Sequence, residues 1–395
     1  MSMLLVNFSM IFSINVSAED ALVDIGPVLS NKTGNIFEAT DALTFGQTFK
    51  NNTENQIGIR CTTDIIDEEG NTVWTRTWPD AYLAGNAAKT FTFTLESPQK
   101  YGLFTLKLTE LAQINESTYK RIFEKKFSIC KTLGTSNLNP QFGYNQAMVR
   151  TGVADPTVAT QLMLKSGAKW HREGIEWPEI EKTAGEYSIS ASAKARLAGI
   201  KDSGLETVCI LKGANPIYTG YVTVYENGEP KQKAKAPSTD EEIAAYANFC
   251  RYVATELGGL VDHFEIWNEW NVTNFNPGQE TPETYAKVLK AAYNAIKSVN
   301  PDYKVLGCAI SGFDTAWIDS VLAANGGTPY MDILSLHQYS FSTTDGFDEQ
   351  QFIADFGSLK TLPSGYSLDL PVWLTETGFS TYDNSIPGFG PGCSD

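Results

Sequence analysis

The chain has 395 residues, 42% apolar and 19% charged, with a formal net charge of -16. That length suits a barrel of roughly 250 residues plus a module of about 100, and the composition excludes a disordered chain. The negative charge, with no run of Lys or Arg, excludes a phosphate backbone and anionic headgroups, so neither nucleic acid nor membrane is an expected partner. Residues 1–18, MSMLLVNFSMIFSINVSA, are largely apolar, too short to span a bilayer, and end in Val-Ser-Ala like a cleavage site. They read as a signal peptide and predict a secreted, extracellular protein.

Residues 19–133 carry short alternating segments: ALTFGQTF, IGIRCTTDII, TVWTRTW, TFTFTL, GLFTLKL and RIFEKKFSI. Alternation with turn signals between segments predicts antiparallel strands, and Asp67 to Asn71 reads as a hairpin connection. The expected fold is an immunoglobulin-like β-sandwich. Residues 134–140, Gly134 to Pro140, read as the linker, and residues 141–395 as a separate domain.

In that second domain the rhythm is strand then helix. Predicted strands are Phe142 to Asn145, Ala168 to Arg172, Glu206 to Leu211, His263 to Trp267, Lys304 to Ala309, Ile333 to His337 and Val372 to Thr375. Between them, PTVATQLMLKSG, SAKARLAGIKDSG, DEEIAAYANFCRYVATELGG and PETYAKVLKAAYNAIKSVN place apolar residues three and four apart, as helices do. The alternation implies a parallel sheet, and no G-x-G-x-x-G follows the first strand to make it a Rossmann fold. A TIM-type (β/α)8 barrel is expected. Only nineteen residues follow Glu376, rich in Gly and Pro, so the chain is expected to stop short of an eighth βα unit.

HFEIWNEWN places Glu269 just past the fourth strand, and PVWLTETGFS places Glu376 at the end of the seventh. Active-site groups of parallel barrels sit at those strand ends. Retaining glycosidic cleavage needs two carboxyls about 5 Å apart, one to protonate the leaving oxygen and one to attack the anomeric carbon. Glu265, in the same strand, would lie about 13 Å deeper, inside the packed layers, where it needs a partner such as Arg.

The Asn268-Glu269 pair and Glu376 resemble the signature of glycoside hydrolase clan A, and the region from about 140 to 380 is most similar to family 39, the group of β-xylosidases, α-L-iduronidases and exopolysaccharide glycosidases. The resemblance implies Glu269 as acid/base, Asn268 as the amide on the sugar 2-hydroxyl, and Glu376 as nucleophile. It further implies that His337 and Tyr339, in LSLHQYS, border the nucleophile and that Arg172, in KWHREGIEW, orients it. Trp177, in the loop after the second strand, is a candidate for stacking on a sugar ring. The long segment from Asn215 to Pro237 suggests a functional rim.

The six cysteines, at 61, 130, 209, 250, 308 and 393, and the three histidines show no ligand spacing, and no H-E-x-x-H, G-x-S-x-G or Walker loop occurs. No metal or cofactor is expected. Cys61 and Cys130 could pair in an oxidising compartment if their Cβ atoms face each other, or remain free thiols. The expected function is retaining hydrolysis of β-linked oligo- or polysaccharide; the alternative is a non-catalytic carbohydrate-binding barrel or an inactive truncated one.

Overall fold

A computed structural model describes residues 22–98, 100–114, 117–131, 138–145, 156–339, 348–359, 362–363, 365–366 and 368–378. The predicted leader, most of the predicted linker and the tail from 379 lie outside them. The chain divides into two compact units, Met1–Gly134 and Thr135–Asp395. Among the described residues no helix is long and apolar enough to cross a membrane.

The first unit follows its alternation. Leu43–Asn51 buries every second residue, as does most of Ile57–Asp67. The first of these joins a four-stranded sheet with Val23–Ile25, Leu29–Ser30 and Ala88–Leu95. The second lies in a six-stranded sheet with Gly102–Ile114 and Ser117–Cys130. Phe45 of the smaller sheet meets Phe37 and Phe127 of the larger at centroid distances of 5.4 and 5.3 Å, so the sheets share one aromatic core. The hairpin after Asp67 forms as expected, closed by Asp67 N donating to Asn71 O at 3.0 Å with Gly70 at φ 83°, a left-handed position that favours glycine. No disulfide joins Cys61 to Cys130, and Cys130 Sγ donates to Phe37 O at 3.4 Å. Burial, then the neighbouring Glu110, pushes the Cys61 thiol up to about 12.

The second unit is built on seven parallel strands that pair in sequence order: Asn139–Asn145, Ala168–Glu176, Glu206–Lys212, His263–Ile266, Lys304–Ser311, Ile333–His337 and Val372–Glu376. The first begins inside the predicted linker. The second extends four residues past its predicted end, because Glu173 to Glu176 stay in register with Cys209 to Lys212. The four predicted helices form as Pro156–Lys165, Ala191–Asp202, Asp240–Glu256 and Pro282–Val299. In the last, Tyr285, Val288, Leu289, Ala292 and Ile296 are buried at helical spacing, and Thr281 caps the N-terminus by accepting from Thr284 N.

Side chains inside the sheet show that it curls on itself. Trp170 of the second strand, His263 of the fourth and Trp373 of the seventh stack together, with centroids 4.8, 4.8 and 5.5 Å apart. The second and seventh strands are not neighbours in the sheet, so contact between their rings requires near closure. The seven-stranded parallel sheet is thus nearly closed and barrel-like, as the expected TIM-type barrel requires.

Candidate active site

Strained backbone follows the end of the fourth strand and marks a bulge inside the fifth. Trp267, Glu269, Cys308 and Ala309 have φ of 67, 46, 74 and 44°, a region that L side chains enter at a cost of about 1–3 kcal/mol each. Specific donors hold them there. Glu269 N donates to Ala309 O at 2.7 Å and Trp267 N to Leu211 O at 3.0 Å. The Tyr285 hydroxyl donates to Ile266 O at 3.0 Å and accepts from Cys308 N at 2.8 Å. The bends aim Asn268 and Glu269 at the barrel mouth.

Beneath them Arg172, almost fully buried, links four strands. Its Nε and Nη2 bind Glu265 Oε2 at 2.7 and 2.5 Å, and its Nη1 donates to Glu376 Oε1 at 2.5 Å. Nη2 also lies 3.2 Å from Asn268 Oδ1, and Nη1 lies 3.2 Å from Asn145 Oδ1. Glu265 is fully buried, and its other oxygen accepts from Ser335 at 2.5 Å and Thr375 at 2.8 Å. Burial pulls the guanidinium down, but Glu265 and then Glu376 outweigh it, so its net shift is upward and it stays cationic.

His337 lies between the two carboxylates. Its Nε2 is 3.2 Å from Arg172 Nη2, and its Nδ1 donates to Glu269 Oε1 at 3.0 Å. One carboxylate oxygen each from Glu269 and Glu376 and one His337 ring nitrogen lie within 4.8 Å of one another. Such a trio could ligate a metal in other surroundings. Here Glu376 Oε1 is already engaged by the Arg172 guanidinium at 2.5 Å.

The Tyr339 hydroxyl donates to Glu376 Oε2 at 2.9 Å. Burial pushes the Glu376 carboxyl up, but His337, Arg172 and Tyr339 together carry it below the ordinary carboxylate range. Tyr339 moves the opposite way: burial and the adjacent Glu376 charge raise its phenol. Glu376 is thus prepared as an anion with both oxygens engaged.

Of the predicted site residues the structure brings together Arg172, Asn268, Glu269, His337, Tyr339 and Glu376. Trp177 requires correction. It lies in a short helix, Trp177–Ile180, is fully buried, and stacks on Tyr218 and Phe249 at 5.4 and 6.0 Å. Its Nε1 donates to Glu181 Oε2 at 2.6 Å. It supports the loop and offers no face to a ligand, because the second strand runs on to Glu176 and leaves no open loop where one was expected. The segment from Asn215 holds a hairpin, Tyr221–Glu226 with Glu229–Ala234, that exposes Tyr221 and Tyr225. Ser335, Thr375 and Asn145 were missed by sequence reasoning. The first two were within reach, since Ser335 stands two residues before His337 and Thr375 immediately precedes Glu376.

With this geometry in hand, comparison with known proteins gives three results. Residues 225–382 match the model of glycosyl hydrolases family 39. A beta-xylosidase of Geobacillus stearothermophilus is 38% identical over 79 residues, 20% of this chain and 15% of that protein. The chain thus spans about one seventh of that curated relative's length in the match. The solved structure of a family 39 glycoside hydrolase from Bacteroides cellulosilyticus superposes with a TM-score of 0.64 at 21% identity, covering 90% of this chain and 69% of that one, a likeness of fold.

Proposed function

From the match of residues 225–382 to glycosyl hydrolases family 39, we propose that the chain is a glycosidase of that family that hydrolyses β-linked oligo- or polysaccharide with net retention, Glu376 acting as nucleophile and Glu269 as acid/base. One observation supports the mechanism: a carboxylate oxygen of Glu269 and one of Glu376 lie within 4.8 Å of each other. Retaining cleavage places its carboxyl groups about 5–5.5 Å apart, whereas inversion needs about 6.5–9.5 Å to admit a water.

In the first step Glu376 attacks the anomeric carbon while Glu269 gives its proton to the departing oxygen, so one C–O bond forms as the glycosidic bond breaks. In the second, Glu269 takes a proton from water, the hydroxide oxygen bonds to the anomeric carbon, and the ester to Glu376 breaks. Arg172 and Tyr339 hold the nucleophile ionised at the start and receive its charge back at the end. Asn268 is placed to meet the 2-hydroxyl of the reacting sugar. The non-catalytic alternative is disfavoured, because both carboxylates and their supporting partners are in place.

In this reading the first unit is an immunoglobulin-like sandwich, the second a (β/α)8-type barrel, and the apolar first eighteen residues direct export. β-Xylosides are the first substrates to try, given the stretch shared with a beta-xylosidase. The test is to hydrolyse aryl β-glycosides and follow the first-formed sugar by proton NMR. A β-configured product is expected; an α-configured first product would refute retention.

A further inference from the structure

Tyr285 stands in the first turn of the helix Pro282–Val299 and is fully buried, beyond the reach of a substrate. The pairing of the fourth strand with the fifth stops at Glu265 and Leu306, and just past that point the Tyr285 hydroxyl stands between the two strands. It donates to Ile266 O at 3.0 Å and accepts from Cys308 N at 2.8 Å, joining the strands where their ladder has ended. Burial raises its phenol well above the ordinary value, so the hydroxyl keeps the proton it donates.

The bulge that this hydroxyl fixes is where Glu269 is held. Register with the sixth strand skips Ala309, between Cys308 and Ile310, and Cys308 and Ala309 are both left-handed. Ala309 O accepts from Glu269 N at 2.7 Å. Beside it Asn271 Nδ2 donates to Ser311 O at 2.9 Å, and Ser311 N donates to Asn271 Oδ1 at 3.0 Å. Residues 269–271 thus run along residues 309–311, and a shift of the bulge carries Glu269 with it. The Tyr285 ring adds a second hold, packing against Trp270, the residue after Glu269, with centroids 5.3 Å apart. Gly307 lets the helix come this close. A Cβ there would stand 3.2 Å from Leu289 Cδ1, one turn along from Tyr285, and 2.9 Å from Met331 Sδ.

Resting on the proposed function, we infer that Tyr285 is the positioning residue of the acid/base: its hydroxyl clamps the fourth strand to the bulge of the fifth and so sets the distance from Glu269 to the leaving oxygen. His337 holds the Glu269 side chain, and Tyr285 holds the backbone that carries it. Proton transfer needs a heavy-atom distance of about 2.6–3.2 Å, and a misplacement of about 1 Å costs about 100-fold in rate. Loss of the clamp therefore falls on substrates whose leaving group needs the proton.

Tyr285→Phe keeps the ring and removes the hydroxyl. Its kcat/KM is compared with wild type on the phenyl and 2,4-dinitrophenyl β-glycosides of the sugar that the wild-type chain cleaves. On the phenyl glycoside it should fall about tenfold or more, and on the dinitrophenyl glycoside, whose leaving group needs no proton, it should stay within about twofold. Gly307→Ala, which pushes Leu289 and the helix away while keeping the hydroxyl, should show the same split. Equal falls on both substrates, as a role in folding alone would give, or no fall on either, overturns the positioning role. Hydrogen exchange needs no substrate. Tyr285→Phe should speed it about tenfold or more in peptides covering residues 263–271 and 304–311, while peptides covering 288–296 stay as in wild type. Unchanged exchange in 263–271 overturns the clamp. Faster exchange there in a chain that cleaves no glycoside supports the clamp and contradicts the proposed function instead.

Discussion

Arg172 Nη1 lies 2.5 Å from Glu376 Oε1, although 204 residues separate the two in sequence. The same guanidinium is anchored from below by Glu265, so the nucleophile's position and charge depend on a buried pair that no substrate touches.

Arg172→Lys should therefore be far from conservative. A lysine cannot serve Glu265 and Glu376 at once, and kcat/KM should fall by about 100-fold or more. Arg172→Met should in addition leave Glu265 a buried unpaired charge and destabilise the barrel by about 3–5 kcal/mol. Steady-state kinetics and urea unfolding of both variants check this.

The acid limb of kcat/KM should follow Glu376. Its carboxyl sits below the ordinary range in the folded chain, so activity persists as pH falls through that range and is lost only as pH falls through the lowered value. Stability has the same sign: the contribution from Glu376 is present above the unfolded carboxyl value and lost as pH drops through the folded one. Tyr339→Phe removes a hydrogen bond to the charged form, so the limb should move to higher pH. A pH-rate profile of the two proteins reads the shift.

In the first unit Glu110 has the opposite linkage. Burial pushes its carboxyl up to about 8, with Arg121 opposing, and neither side-chain oxygen has a hydrogen-bond partner. The folded state then holds a proton that the unfolded chain has released, so stability falls as pH rises from about 4.5 to about 8, at up to about 1.4 kcal/mol per unit. Glu110→Gln should flatten that slope. Melting temperatures at pH 5 and pH 8 give the comparison.

Trp177→Ala should cost stability, about 3–5 kcal/mol for a buried tryptophan, while the gentler Trp177→Phe leaves KM for an aryl glycoside unchanged. A rise in KM with Trp177→Phe would restore it to the substrate.

Much of this was legible in the sequence because the periods are strong. Strands such as Leu43–Asn51 alternate almost without exception, and Pro282–Val299 carries both its cap and its apolar stripe. Asn268-Glu269 and Glu376 could be placed because each follows a short apolar strand. Trp177 could not, since an exposed loop aromatic and a buried one look alike until the strand's end is known, and register with the third strand set that end. The left-handed backbone at Trp267 and Cys308 was also hidden, because tertiary hydrogen bonds to the Leu211 carbonyl and the Tyr285 hydroxyl impose it against local preference.

The assignment of Glu269 and Glu376 is tested most directly by azide rescue of two variants on an activated aryl β-glycoside. Glu269→Ala should still form the glycosyl ester, since a good leaving group needs no proton, and azide should then give the β-glycosyl azide. Glu376→Ala should form no ester, and azide bound in the vacated space should give the α-glycosyl azide. The same anomer from both variants, or α from the first and β from the second, would contradict the account.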